Sequence, residues 1–452
     1  MTAPIVPARS EVPDLSRYRA CFPSLRLTQQ GHPVIYFDNP GGTQVPGQVI
    51  RAVTDYYTMA NANTHGAFLT SQRTDAILAE AHAAMADFLH AADPGEVIFG
   101  ANMTTLTFAI SRSLAMLLRP RDEVVVTTLD HDANIAPWLA IADERDAIVR
   151  TVDIQAPECR LDMEDFRRKI TGRTRIVAVG YASNATGTIN DIATIIRWAH
   201  EVGALCFVDA VHYAPHGPID VQALDCDFLV CSAYKFFGPH LGILYGKRRL
   251  LENLRAYKVR PAENTLPHKF ETGTLNHEGI AGLLGTIEYL AAIGRDQVEH
   301  AGASAPAGAQ PARASTLARP HRSKAAKMAQ PDRRYYLQAA MQAIQDYERT
   351  LTVHLLDGLR AIRGVTIYGL TAAEDLACRV PTVAITLEGH TSRELAERLG
   401  QAGIFTWHGN YYALALMERL GLEQHGGALR IGLAHYNTHE EVDRVLGVLG
   451  EI

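Results

Sequence analysis

Short apolar runs recur through the first two thirds of the chain, each closed by a polar turn. Val97-Ile98-Phe99, Val124-Val125-Val126, Ile176-Val177-Ala178-Val179, Leu205-Cys206-Phe207-Val208, Phe228-Leu229-Val230-Cys231 and Leu241-Gly242-Ile243-Leu244-Tyr245 read as buried strands. Between them, apolar residues at helical spacing predict helices over 70–89, from about Met103 to Leu118, from Pro137 onward, over 192–203 and over 280–293. Strands alternating with helices in this way predict an α/β fold with a mostly parallel mixed sheet between helices.

The rhythm changes after residue 300. Ala301 to Pro331 is built mostly of Ala, Gly, Ser, Pro, Arg and Lys, buries almost nothing and is expected to be a disordered basic insert. Beyond it, a helix from about Tyr335 to Ile362, strands over 365–368, 382–386 and 429–432, and helices over 392–402 and 439–449 predict a smaller α+β domain. The expected divisions are 1–35, an N-terminal segment contributing to the small domain; 36–295, the large domain; 296–333, the insert; and 334–452, the small domain.

Composition narrows the function without naming it. A chain of 452 residues with 20% charged residues and a formal charge of −6 carries no basic footprint for nucleic acid. No apolar run is long enough to span a bilayer and the N-terminus has no signal-like core, so no membrane association is expected. The six cysteines are scattered without C-x-x-C spacing, as in a reducing, cytoplasmic setting. His212 and His216 lack a third ligand, and Pro215 interrupts the helix that a metal pair at that spacing needs, so no metal is expected.

The candidate chemistry starts from Lys235, alone in a Ser-, Gly- and Pro-rich turn between two buried strands. A lysine there either reaches water or is covalently engaged, and a Schiff base is the commonest engagement. Asp209 abruptly ends an apolar strand, where an acid is a cap or holds a ligand. The run Asn102-Met103-Thr104 opens a helix, which caps itself or offers amides to an anion. His131 and Asn134 follow a strand C-terminus, where α/β sheets place ligands. An acid, a lysine and an anion-binding helix start in this chain meet the needs of pyridoxal phosphate: a partner for the ring nitrogen, an anchor and a phosphate seat.

With these residues the chain resembles the class V aminotransferase family of fold-type I pyridoxal phosphate enzymes, in its cysteine desulfurase-like branch. Asp130-His131-x-Ala133-Asn134 is similar to the family's E-H-x-A-N, and implies that His131 stacks on the cofactor ring. Ser183-Asn184-x-x-Gly187 resembles the motif whose Asn contacts cofactor and substrate. The run from Val208 to His216 resembles D-x-x-Q-x-x-P-H, with His212 where a Gln usually meets the cofactor's phenolic oxygen. Ser232-x-x-Lys235-x-x-Gly238-Pro239 resembles S-x-H-K-x-x-G-P, with Tyr234 in place of the phosphate-side His. By the same resemblance Met103 and Thr104 hold the phosphate, Gly273 and Thr274 reach the neighbouring site of a homodimer, and Arg430 clamps the substrate α-carboxylate.

One departure changes the expected chemistry. The loop that carries R-x-G-H-x-C in desulfurases reads Trp407-His408-Gly409-Asn410-Tyr411-Tyr412, and Tyr412 stands where the persulfide cysteine would be. The resemblance therefore implies C–S bond cleavage of an α-amino acid by β-elimination, without an enzyme persulfide. An aminotransferase or an amino-acid epimerase would use the same machinery. A cofactor-free scaffold would have no use for Lys235, Asp209 and Arg430 together.

Overall fold

The apolar runs are continuous because they are covered on both faces. Val124, Val126, Ile176, Ala178, Phe207, Phe228 and Val230 pack with Trp138 and Leu106 on one side of a sheet. Their immediate neighbours Val125, Val177, Val208, Leu229 and Cys231 pack with Leu78, Ile195 and Leu283 on the other. The computed structural model describes residues 12–303 and 332–452.

Seven strands make this sheet: β1 (Val97–Gly100), β2 (Glu123–Thr127), β3 (Ile148–Val152), β4 (Thr174–Gly180), β5 (Leu205–Asp209), β6 (Phe228–Ser232) and β7 (Gly242–Gly246). Their order is β1-β7-β6-β5-β4-β2-β3; β7 is antiparallel to both neighbours and the other pairs are parallel. The edge strand β3 is not legible as an apolar run, because Arg150 and Thr151 interrupt it and most of it is only partly covered. Helices α1 (Gly47–Met59), α2 (Leu69–Leu89), α3 (Met103–Leu114), α4 (Ala136–Glu144) and α5 (Ile192–Glu201) belong to this layer structure. The C-terminal ends of β2, β4, β5 and β6 point to one side, where their loops can converge.

Two long helices, α6 (His277–Ala303) and α7 (Arg333–Ala361), pack along one another. The expected insert runs over 296–333, with its change of composition at Ala301, but α6 continues helically to Ala303 and α7 begins at Arg333; the rest of the expected insert, 304–331, lies outside the described residues. Gly294 explains the continuation. A Cβ there would come within 1.8 Å of the Tyr336 carbonyl oxygen, so glycine permits a close crossing instead of ending the helix. Asp296, in the extended part, accepts a hydrogen bond from the Tyr18 hydroxyl at 2.7 Å.

The second sheet is antiparallel, with β8 (Val365–Tyr368), β9 (Thr382–Leu387), β10 (Trp407–Gly409) and β11 (Ala428–Gly432) in the order β8-β9-β11-β10. Helices α8 (Ser392–Gln401) and α9 (His439–Gly450) complete this part, each started by a capping box, from Thr391 and Thr438. Ile35–Tyr36 pairs in parallel with Ile404–Phe405, and the Gly432 amide donates to the Phe37 carbonyl at 2.8 Å. The loop from Asp38 to Gly42 is thereby tied to the small sheet. Among the described residues, no helix is long and apolar enough to cross a membrane.

Helix α3 starts hard against β7. Asn102 caps it by accepting from the Thr105 amide at 2.9 Å, and a Cβ on Gly242 would lie 2.3 Å from the Asn102 carbonyl carbon. Gly242→Ala is expected to push the helix start off the sheet and cost about 2–3 kcal/mol. Urea unfolding would register this as a lower midpoint, and an unchanged midpoint would refute the close contact.

Candidate active site

Loops from both sheets enclose a cavity of about 660 Å3. Lys235 enters it from the 3-10 turn that follows β6. Its ammonium donates to the Pro40 carbonyl and to the Gly41 carbonyl at 3.1 Å, and lies 4.8 Å from the centre of the Tyr234 ring. Burial, helped by the nearby Arg430 guanidinium, pulls its pKa down to about 7; Asp38 and Asp209 oppose that fall.

Two acids share the pocket. Asp209, the last residue of β5, accepts from the Val211 amide at 2.9 Å, and burial pushes its pKa up to about 6. Asp130 accepts from the Gly180 amide at 2.9 Å and from Asn134 Nδ2 at 2.9 Å. Burial pushes it up to about 7, with the Gly180 amide working against the rise and the Asp209 charge adding to it. His131 accepts from the Ala133 amide on Nδ1 at 3.0 Å, which leaves the ring proton on Nε2. Burial, then Lys235 and Arg430, bring His131 down to about 4, so the ring is neutral at ordinary pH. Burial likewise holds His212 well below its usual range; its Nε2 lies 2.9 Å from Thr382 Oγ1 on β9, a hydrogen bond between the large domain and the small sheet.

Arg430 projects from the middle of β11 and its side chain is only 4% exposed. Nη2 pairs with Asp38 at 3.0 Å, Nη1 donates to the Asn184 carbonyl at 3.0 Å, and the guanidinium lies 4.4 Å from the centre of the Tyr411 ring. Asn184 Nδ2 donates to the Tyr411 carbonyl at 2.9 Å. Tyr411 and Tyr412 both adopt left-handed backbone angles, φ 56° and 58°. Bulky residues rarely accept that conformation, which persists only where surrounding bonds enforce it. The Tyr412 ring stacks on His131, with centroids 5.5 Å apart and planes 23° from parallel.

Of the residues singled out in the sequence, Lys235, Asp209, His212, His131, Thr104, Met103, Asn184, Tyr234 and Arg430 all line this cavity. Ser232 does not reach the lining; it is buried at the end of β6 with its Oγ unpartnered. Thr274 also lies elsewhere, with Gly273, His268 and Glu271 on a second cavity of about 1110 Å3. Within its own chain it is therefore not a lining residue, because this polar segment is drawn to α2, where His82 Nε2 lies 2.8 Å from Glu271. Asp38, Asp130 and Tyr411 line the cavity without being among the sequence candidates. Asp38 carries the same signal as Asp209, an acid closing an apolar run, and Asp130 opens the stretch that contains His131. Among the described residues, no group of three His, Cys, Asp or Glu side chains is placed to hold a metal ion.

The donor set suits a phosphorylated, ring-shaped cofactor. Of the lining residues, Asn184 Oδ1 and Arg430 Nε are buried without hydrogen-bond partners, an arrangement that costs energy unless something fills it. The Asn102 cap engages Thr105 and leaves the Met103 and Thr104 amides at the helix start for an anion.

Known proteins support the same view. The family model for class V aminotransferases matches residues 35–311 and 333–445. An aminotransferase-like protein, FGM3 of Gibberella zeae, is 33% identical over 449 residues, covering 96% of this chain and 97% of that protein. A cysteine desulfurase of Pectobacterium carotovorum is 30% identical over 454 residues, covering 97% of this chain and 98% of its own. The crystal structure of the cysteine desulfurase CsdA of Escherichia coli superposes with a TM-score of 0.77 at 26% identity, over 98% of both chains. Match and geometry agree: the chain belongs to the class V aminotransferase family and is a pyridoxal phosphate-dependent enzyme of cysteine desulfurase-like fold.

Proposed function

We propose that the chain cleaves the C–S bond of an α-amino acid by β-elimination, without forming a persulfide on the protein. The observation that carries this reading is a buried amine of lowered pKa, Lys235, sharing one cavity with Arg430 and with no cysteine among the described lining residues. Cys206 and Cys231 are buried in the sheet and Cys226 in the turn before β6, and burial pushes their thiols up and away from thiolate. Cys378 is exposed but lies outside the lining.

The residues would divide the work as follows. Lys235 Nζ, Asp209, His131, His212, Asn184, Tyr234 and the Met103 and Thr104 amides would hold the cofactor. Pyridoxal phosphate supplies an electron sink that acidifies the Cα–H bond. Asp209, a buried acid, would hold a proton on the ring nitrogen of that group. Arg430 binds the α-carboxylate in competition with Asp38, and Lys235 Nζ accepts the Cα proton. The thiolate then leaves from Cβ, and water completes conversion of the remaining carbons to pyruvate and ammonium.

A second reading, amino-group exchange, is favoured by the 33% identity to an aminotransferase-like protein; an epimerase would begin with the same proton removal. Gly273 and Thr274 are read as reaching the site of a second copy, because they lie on a cavity apart from their own Lys235. Six free thiols support a reducing, cytoplasmic setting.

Three outcomes test this account. Only a neutral amine attacks the cofactor, so loading of the cofactor-free protein should quicken as pH rises through about 7 and then level off. The rate of appearance of the bound-cofactor absorption checks it, and a rise centred near the ordinary value of 10.5 would contradict the burial argument. Lys235→Ala should retain no cofactor after borohydride reduction and denaturation, and lose about a thousandfold or more in turnover. Incubation with cysteine, cystine, cysteine sulfinate, or alanine plus a keto acid should release pyruvate from the sulfur amino acids; amino-group exchange alone would move the assignment to the second reading.

A further inference from the structure

The loop that replaces the desulfurase cysteine loop is fixed and aromatic. The Tyr412 carbonyl accepts from the Asp132 amide at 2.7 Å, and the Tyr412 amide donates to Asn410 Oδ1 at 3.0 Å. The Tyr411 carbonyl accepts from Asn184 at 2.9 Å, and its hydroxyl donates to the Ala428 carbonyl. Bonds from several separate elements thus enforce two consecutive left-handed residues. A carrier residue that shuttles a sulfur atom needs a mobile loop. A wall that sorts side chains needs this one.

The wall is also incompletely covered. Tyr412 is 74% exposed and Trp407 54% exposed, although both line the cavity, and Phe108 of α3 lines it with them. One face of the Tyr412 ring is covered by His131, and the rest of this exposed side chain is left to meet a substrate group. Charge restricts what can sit there. Among the described lining residues the cations are Lys235 and Arg430, which the cofactor and the α-carboxylate occupy, and His131 is neutral. The remaining charged groups are acids, with Asp132 joined to the loop through its own backbone amide. An acidic substrate side chain would therefore find no partner, and a small one would leave the rings in water.

We propose that Tyr412, Trp407 and Phe108 form a side-chain subsite that selects α-amino acids carrying an aromatic group. The selectivity stands on the cavity alone; its chemical consequence rests on the lyase reading above. Taken together they identify the substrate class as a cysteine thioether whose sulfur substituent carries an aromatic ring. Its Cα–H and Cβ–S bonds break, the ring-bearing thiolate leaves and takes up a proton, and water supplies the oxygen of pyruvate as ammonium departs. No oxidant or reductant is required.

Calorimetric titration of the cofactor-loaded enzyme separates the two claims. L-Phenylalanine, which has no leaving group, should bind about tenfold more tightly than L-alanine. Tyr412→Ala should bring that ratio toward unity while Tyr412→Phe retains it, with cofactor absorption confirming that each variant is folded and loaded. A wild-type ratio near one, a ratio insensitive to Tyr412→Ala, or tighter binding of L-ornithine would overturn the subsite, the last by assigning the rim to Asp132. In turnover, S-benzyl-L-cysteine should give thiol and pyruvate with kcat/KM about tenfold above S-methyl-L-cysteine. Phenylalanine selectivity without pyruvate would sink the lyase reading and leave the subsite standing; equal turnover of the two thioethers would sink the subsite and leave the lyase.

Discussion

An ammonium group withdrawn from water must be surrounded by oxygen or give up its proton, and the site around Lys235 is arranged between those two solutions. The Pro40 and Gly41 carbonyls meet Nζ directly, while the acids Asp38 and Asp209 act on it through space. Neither acid forms an ion pair with it. The outcome is an amine that is stabilised enough to be buried and still easily deprotonated. Much of the surrounding architecture serves that balance: β6 aims the lysine, β5 ends in Asp209, and the loop after Phe37 brings its carbonyls across.

That loop is held by the small sheet. Gly432 binds the Phe37 carbonyl, and Arg430 two residues earlier pairs with Asp38. The guanidinium is thus fixed by the same segment that cages Lys235, so the position of the carboxylate clamp and the protonation of the amine are not independent. The His212 contact to Thr382 adds a second tie between the domains. Removing a partner from the buried Arg430–Asp38 pair would leave an uncompensated charge rather than a neutral gap.

Legibility from sequence follows the range of the interactions. Continuous apolar strands and helix starts are local, and β1, β2, β4, β5, β6 and β7 can be read directly, as can the oddity of Lys235 and Asp209. The edge strand β3 cannot, because one side of it needs no apolar cover. Nor can the reach of α6 past Gly294, which depends on a backbone contact with Tyr336 on α7. The pairing of Asp38 with Arg430 spans 392 positions and leaves no local pattern, so the sequence points to the clamp without the acid that occupies it. Tyr412 is visible as a departure, but its rigidity follows from its own bond to Asp132 and from the bond between Asn184 and the preceding Tyr411, both from other loops.

The same long-range pairing has a consequence for how the protein is made. Asp38 leaves the ribosome 392 positions ahead of Arg430, and the strand that holds Arg430 also clasps the loop that cages Lys235. Seven strands can assemble during synthesis, since domains generally fold as units while the chain is still emerging. The clamp cannot. A nascent chain therefore carries its lysine long before it can hold a substrate, and catalytic competence arrives only with β11.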